Sequence, residues 1–183
     1  LSAEAAMARA IECASYGLGK TFPNPIVGAV ITSATGEFIS EGFHQGADHA
    51  EVIAIKGAKE IPAGSTLYVS LEPCNHQGKT PPCVDAIIES GIKKVVYAVS
   101  DPNPVAAGGS ERLRGAGIEV VSGIGEVQAI HENRAGFFVD FVFDRISVHR
   151  DFDNDIEIVR QVAPTRYFIE AHGCSRFFLQ ITK

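Results

Sequence analysis

A chain of 183 residues suits one ordinary domain and is too short for two full-sized ones. With 45% hydrophobic and 21% charged residues it has the make-up of a soluble globular protein. A formal net charge of -6 argues against a broad phosphate-binding surface, so nucleic acid is a poor partner, although a local basic pocket is compatible with it.

The first segment, Leu1 to Ala14, carries Glu4, Arg9 and Glu12 and lacks the unbroken apolar core of a signal peptide. No stretch reaches the roughly 18 apolar residues of a membrane span. These features imply a reducing, cytoplasmic setting, in which the four cysteines are thiols available to metal. Cys13 and Cys174 have no supporting chemistry around them and read as packing residues.

Residues 2 to 16 read as a helix, capped by Ser2, with an apolar stripe of Ala6, Met7, Ala10, Ile11 and Ala14 and a stop at Gly17. Thr21-Phe22-Pro23-Asn24-Pro25 is a loop stiffened by two prolines, able to hold Asn24 in one place or simply to open a turn. A hairpin follows, Ile26 to Thr32 and Glu37 to Gly42 about a turn at Ser33 to Gly36. His44 lies in the polar loop before His49, and His49 to Lys59 is an amphipathic helix ended by Ile61-Pro62-Ala63-Gly64.

Thr66 to Leu71 is apolar and β-branched, a buried central strand. After the polar loop Asn75 to Lys79, Thr80-Pro81-Pro82 predicts an N-cap and first-turn prolines for a helix that ends at Ser90-Gly91. Lys94 to Val99 is a second buried strand. It is followed by the loop Asp101-Pro102-Asn103-Pro104, a short helix at Glu111 to Arg114, a strand at Ile118 to Ser122 and a helix at Glu126 to Phe138. The alternation predicts an α/β domain with helices on both faces of the sheet, and in such sheets ligands bind beyond the carboxyl ends of strands. Residues 145–183 differ in character, with strand-like pieces (Arg145 to His149, Ile156 to Val159, Tyr167 to Glu170, Phe177 to Ile181) and no recognisable chemistry. The division expected is therefore 1–144 as the catalytic domain and 145–183 as an extension of unknown role.

The chemistry concentrates in His49-Ala50-Glu51, Pro73-Cys74 and Pro82-Cys83. One imidazole and two thiolates are the ligands of a catalytic zinc whose fourth position is left to water. Cys83 at a helix start is favoured as thiolate. Glu51 is surplus to the ligand count and is placed to shuttle protons. A closed structural zinc would need a fourth Cys or His, and His76, the nearest, would leave Glu51 without a use.

The segments Thr21-Phe-Pro-Asn-Pro-Ile-Val-Gly28, Glu41-Gly-Phe-His44, His49-Ala-Glu51, Leu71-Glu-Pro-Cys-Asn-His-Gln-Gly-Lys-Thr-Pro-Pro-Cys83 and Asp101-Pro-Asn-Pro104 together resemble the deaminase domain of the riboflavin-biosynthesis enzyme, over about residues 3–140. The eight residues between Cys74 and Cys83 are the most specific part, since zinc deaminases generally keep the two cysteines two residues apart. The resemblance implies a cytidine-deaminase-like three-layer α/β/α fold with a mixed five-stranded sheet. It implies one Zn2+ on His49, Cys74 and Cys83, with Glu51 as catalytic proton shuttle. Its substrate contacts fall on Asn24, His44, His76, Lys79, Asp101 and Asn103.

The implied reaction is hydrolytic deamination of a phosphoribosyl-pyrimidine, diaminohydroxyphosphoribosylaminopyrimidine. Lys79 and His76 in one loop suit its phosphate. The competing readings are a deaminase of another nucleoside, base or tRNA, and a non-catalytic zinc-stabilised binding module. Many members of that family continue into an NADPH-dependent reductase. No NADPH site is recognisable here, and that activity would have to come from a missing domain or another protein. No membrane partner is expected, and homo-oligomer formation is left open.

Overall fold

The computed structural model describes residues 1–21, 24–78, 80–101, 103, 107–133, 148–150 and 156–158. Its centre is a five-stranded sheet, β1 Gly28–Thr32, β2 Phe38–Phe43, β3 Thr66–Leu71, β4 Lys94–Val99 and β5 Glu119–Ser122, in the order β2-β1-β3-β4-β5. β1 runs antiparallel to both neighbours, while β3, β4 and β5 are parallel, so the sheet is mixed as the resemblance implied.

Alternation along the strands sends side chains to two cores. Ala29, Ile31, Leu67, Val69, Val95 and Tyr97 pack under α2 Ala50–Gly57, α3 Cys83–Glu89 and α4 Gly109–Gly115. Val30, Tyr68, Val96 and Ala98 pack on the other face under Met7, Ala10 and Ile11 of α1 Ala3–Ala14 and Ala129 of a helical run over 126–133. That is three layers. Two glycines on the hairpin let the helices come close. A Cβ on Gly28 would stand 2.0 Å from the Ala10 carbonyl oxygen, and one on Gly42 would stand 2.5 Å from that of Ala50.

Ser2 caps α1 through the Ala5 N–H at 3.2 Å, and a 3-10 turn at Ser15–Gly17 ends it. β3 and β4 have the predicted bounds, β1 starts two residues later than expected and ends where expected, and β2 lies one residue downstream. The α3 start differs. Pro82 rather than Thr80 takes the cap position and makes no side-chain cap bond, because the prolines stay extended and the first helical residue is Cys83. Of Glu126 to Phe138, residues 126–133 are helical and the rest lie outside the described residues. Val148–Arg150 and Ile156–Ile158 pair antiparallel as β6 and β7; β7 lies within the strand expected there, and β6 overlaps its own and runs one residue past it. The other two expected strands, with Cys174, lie outside the described residues. No described helix is long and apolar enough to cross a membrane.

Candidate metal centre

The parallel pair β3 and β4 ends side by side, with Leu71 opposite Val99. Cys74 lies three residues beyond β3, His49 holds the N-cap position of α2, and Cys83 is the first residue of α3. What joins two cysteines nine positions apart is the free end of α3. Its first N–H groups have no helical partner, and Cys74 receives two of them. The Cys83 N–H donates to Cys74 Sγ at 3.3 Å and the Val84 N–H donates to the Cys74 carbonyl at 3.4 Å. The intervening loop thus returns onto its own start, and one thiol caps the helix that carries the other.

His49 Nδ1 lies 2.9 Å from Cys83 Sγ and 3.5 Å from Cys74 Sγ, and the two sulfurs are 3.2 Å apart. Zinc, at about 2.3 Å from sulfur and 2.0–2.1 Å from nitrogen, separates tetrahedral ligands by about 3.6–3.8 Å. The triangle meets that spacing on one edge and falls within about 0.7 Å of it on the other two. Soft sulfur and imidazole are also the donor set zinc prefers. Among the described residues, His49, Cys74 and Cys83 are the only group of three or more His, Cys, Asp or Glu side chains placed to hold one ion.

Cys74 and Cys83 cannot both be charged at this separation without a cation. Cys74 holds the negative charge, its pKa drawn down to about 4 by the Cys83 thiol first and also by His49 and the Cys83 N–H, against the pull of burial. The Cys83 thiol, expected as the thiolate from its place at a helix start, is instead pushed strongly upward by Cys74 and by burial, with Glu51 adding to it. His49 is raised, chiefly by its hydrogen bond with Cys74. Glu51, in the first turn of α2, is 3% exposed, and burial pushes its carboxyl up to about 7.

The other sequence-predicted residues divide. His44 is buried with its ring centroid 5.2 Å from that of His49, and its Nε2 has no partner. Burial, then the charge on His49, lowers its pKa. His76 is half-buried with Nδ1 unpartnered. Asp101 is raised by burial first, with Glu72 and Cys74 adding to it, and its Oδ1 accepts the Asn103 N–H at 2.8 Å. Asn24 is exposed at the mouth of the loop before β1, and Asn103 is also exposed. Lys79 lies outside the described residues.

The sequence reading passed over Glu72. It is buried, and its two carboxylate oxygens accept the Ser110 N–H at 3.0 Å and the Asp101 N–H at 3.3 Å. It thereby ties the Asp101 loop and the start of α4 to the residue two before Cys74. A carboxylate between a buried strand and Pro-Cys was the available signal, since a charge there needs donors.

The sequence pattern of the cytidine and deoxycytidylate deaminase zinc-binding region matches residues 2–99. The chain is 48% identical over 141 residues to the riboflavin biosynthesis protein RibD of Synechocystis sp., an alignment covering 75% of this chain and 38% of that protein. It is 51% identical over 121 residues to RibD of Escherichia coli K12, covering 64% of this chain and 33% of that one. The crystal structure of a diaminohydroxyphosphoribosylaminopyrimidine deaminase/5-amino-6-(5-phosphoribosylamino)uracil reductase from Thermotoga maritima superposes with a TM-score of 0.69 at 48% identity, over 78% of this chain and 42% of that one. The chain therefore spans well under half the length of these relatives.

Proposed function

Because the chain belongs to the cytidine and deoxycytidylate deaminase zinc-binding family, we propose that it deaminates diaminohydroxyphosphoribosylaminopyrimidine hydrolytically, giving the corresponding uracil and ammonia in riboflavin biosynthesis. Residues 1–144 make up the deaminase domain, and 145–183 form an extension to which no role is assigned. The observation that carries the reading is the triangle of the half-buried His49 imidazole and two buried sulfurs, with the buried Glu51 carboxyl in hydrogen-bonding contact with Cys83. The relatives named above support the choice of substrate.

His49, Cys74 and Cys83 would hold one Zn2+ per chain. When bound, zinc supplies a Lewis acid with one position open to water, whose pKa falls toward about 7. Glu51 takes a proton from the attacking water and delivers it to the ring nitrogen next to the reacting carbon. The new C–O bond forms at that carbon, Glu51 then takes the remaining proton of the new hydroxyl and passes it to the amino group, and the C–N bond breaks to release ammonia and leave the carbonyl. In the metal-free chain burial raises the Glu51 carboxyl to about 7, the direction that suits a group asked both to accept and to donate a proton. Asn24, His44, His76, Lys79, Asp101 and Asn103 would bind the substrate. His44 Nε2 and His76 Nδ1 are buried atoms that still lack a hydrogen-bond partner, and a bound polar ligand satisfies such atoms. Lys79 and His76 would take the phosphate.

The test is ammonia release by zinc-loaded protein from the phosphoribosyl pyrimidine and from cytidine. The expected result is a kcat/KM for the former higher by about 10⁴–10⁵-fold, the scale on which a site with unmet polar groups rejects an analogue. Equal or faster release from cytidine would move the protein to a different deaminase activity, and none from either would favour a non-catalytic zinc module.

A further inference from the structure

We propose that Arg112 is a positioning residue of the metal centre: its guanidinium braces the two cysteine-bearing segments against each other and so sets the spacing at which they receive zinc. The inference rests on the zinc-holding reading above and goes beyond it in naming what shapes the site.

Arg112 Nη1 donates to Asn75 Oδ1 at 3.1 Å, and Asn75 directly follows Cys74. Its Nη2 pairs with the carboxylate of Asp85, two residues after Cys83. A guanidinium is flat and its N–H groups diverge at fixed angles, so one side chain holding both acceptors also fixes the distance between them. The Cys83 and Val84 N–H bonds to Cys74 join the two segments along their backbones. Arg112 closes the same pair through side chains, so the segments are tied at two levels.

The brace needs a fixed base, and α4 has one. Gly109 lies so close to the loop that a Cβ there would stand 1.8 Å from the Pro73 carbonyl oxygen. The next residue, Ser110, donates its N–H to Glu72 at 3.0 Å. Gly109, Ser110 and Arg112 therefore engage Pro73, Glu72 and Asn75, the residues on either side of Cys74. As a stability element the Arg112–Asp85 pair counts for little, since the two side chains are 43% and 36% exposed and solvent screens them. Its consequence is orientation of the ligands. Groups bonded directly to a metal ligand typically change metal affinity by about 10–100-fold when removed, and Arg112, acting through the neighbours of Cys74 and Cys83, belongs at the low end of that range.

The experiment measures zinc affinity by competition with a chromophoric chelator and records the visible bands of bound Co2+, which report ligand geometry. Arg112→Ala is expected to lose about tenfold in zinc affinity and to shift the Co2+ bands. Arg114→Ala, on the same helix but donating to Val120 O at 3.5 Å, is expected to match the unmodified protein in both. Arg112→Lys keeps the charge without the fork and is expected not to restore the Co2+ bands. It carries the test alone if the alanine variant does not fold. Unchanged affinity and bands in Arg112→Ala, or full restoration by lysine, would overturn the brace. Neither readout involves substrate, so the two ideas fail separately. Protein that binds zinc in an Arg112-dependent way but releases no ammonia sinks the deaminase reading alone, and active protein indifferent to Arg112 sinks the brace alone.

Discussion

Replacing Glu51 with Gln separates the proton shuttle from the metal ligands, because the amide keeps the shape of the side chain and cannot exchange a proton at neutral pH. Turnover is expected to fall about 10²–10⁴-fold, the usual worth of general acid–base catalysis, which raises the barrier by about 3–5 kcal/mol. Zinc content is expected to stay at one per chain, since Glu51 is outside the group placed to hold the ion.

The same substitution has an opposite effect on stability. Burial moves the Glu51 carboxyl from 4.5 to about 7, a displacement worth about 3 kcal/mol. Between those values the folded chain keeps a proton that the unfolded chain has lost. Stability therefore falls as pH rises through that window, and the penalty persists above it. Gln carries no such penalty. Metal-free Glu51→Gln protein should exceed metal-free Glu51 protein by up to about 3 kcal/mol above pH 8 or so, roughly 6–12 °C in Tm, and by nothing below about pH 4.5. The assays are ammonia release, metal analysis, and thermal unfolding at the two pH values. Near-normal turnover or loss of zinc would end the shuttle assignment, and equal Tm at the higher pH would refute the reasoning from burial.

Three further outcomes follow from the same geometry. Lys79→Ala should weaken binding of the phosphorylated substrate far more than that of its dephosphorylated analogue, read as KM or Kd for each, and equal losses would remove Lys79 from the phosphate site. Zinc binding to metal-free protein near neutral pH should release at least one proton per ion, because Cys74 is already a thiolate while Cys83 keeps its proton. An indicator dye in weak buffer measures it, and zero release would contradict the shared-proton description. Gly28→Ala should lower the urea midpoint by the equivalent of about 1–3 kcal/mol, since its Cβ would stand 2.0 Å from the Ala10 carbonyl oxygen. An unchanged midpoint would contradict the close seat of α1 on β1.

The strands and the candidate metal group were legible because each carries a local signature. Thr66–Leu71 and Lys94–Val99 are apolar runs that only a sheet covered on both faces buries so completely. His49 and Glu51 share one helix turn, and Cys83 opens another helix. The cap of α3 was misplaced because Thr80 has the right side chain for it, whereas the N–H groups at that end are taken by Cys74, nine positions before Cys83. Glu72, Gly109 and Arg112 escaped for a related reason. Their roles exist only once β3 and α4 lie together, and a lone charge or glycine in a loop has many ordinary uses. The substrate contacts on Asn24, Lys79 and Asn103 depend on a ligand to converge on, so their assignment still rests on the sequence resemblance.

The proposed deamination requires one zinc ion at His49, Cys74 and Cys83. Chelator-stripped protein titrated with zinc, with ammonia release from the phosphoribosyl pyrimidine measured at each addition, tests this most directly. The predicted result is no activity in the stripped protein and a linear rise that breaks at one zinc per chain. Full activity in the stripped protein, or a break at another stoichiometry, would contradict it.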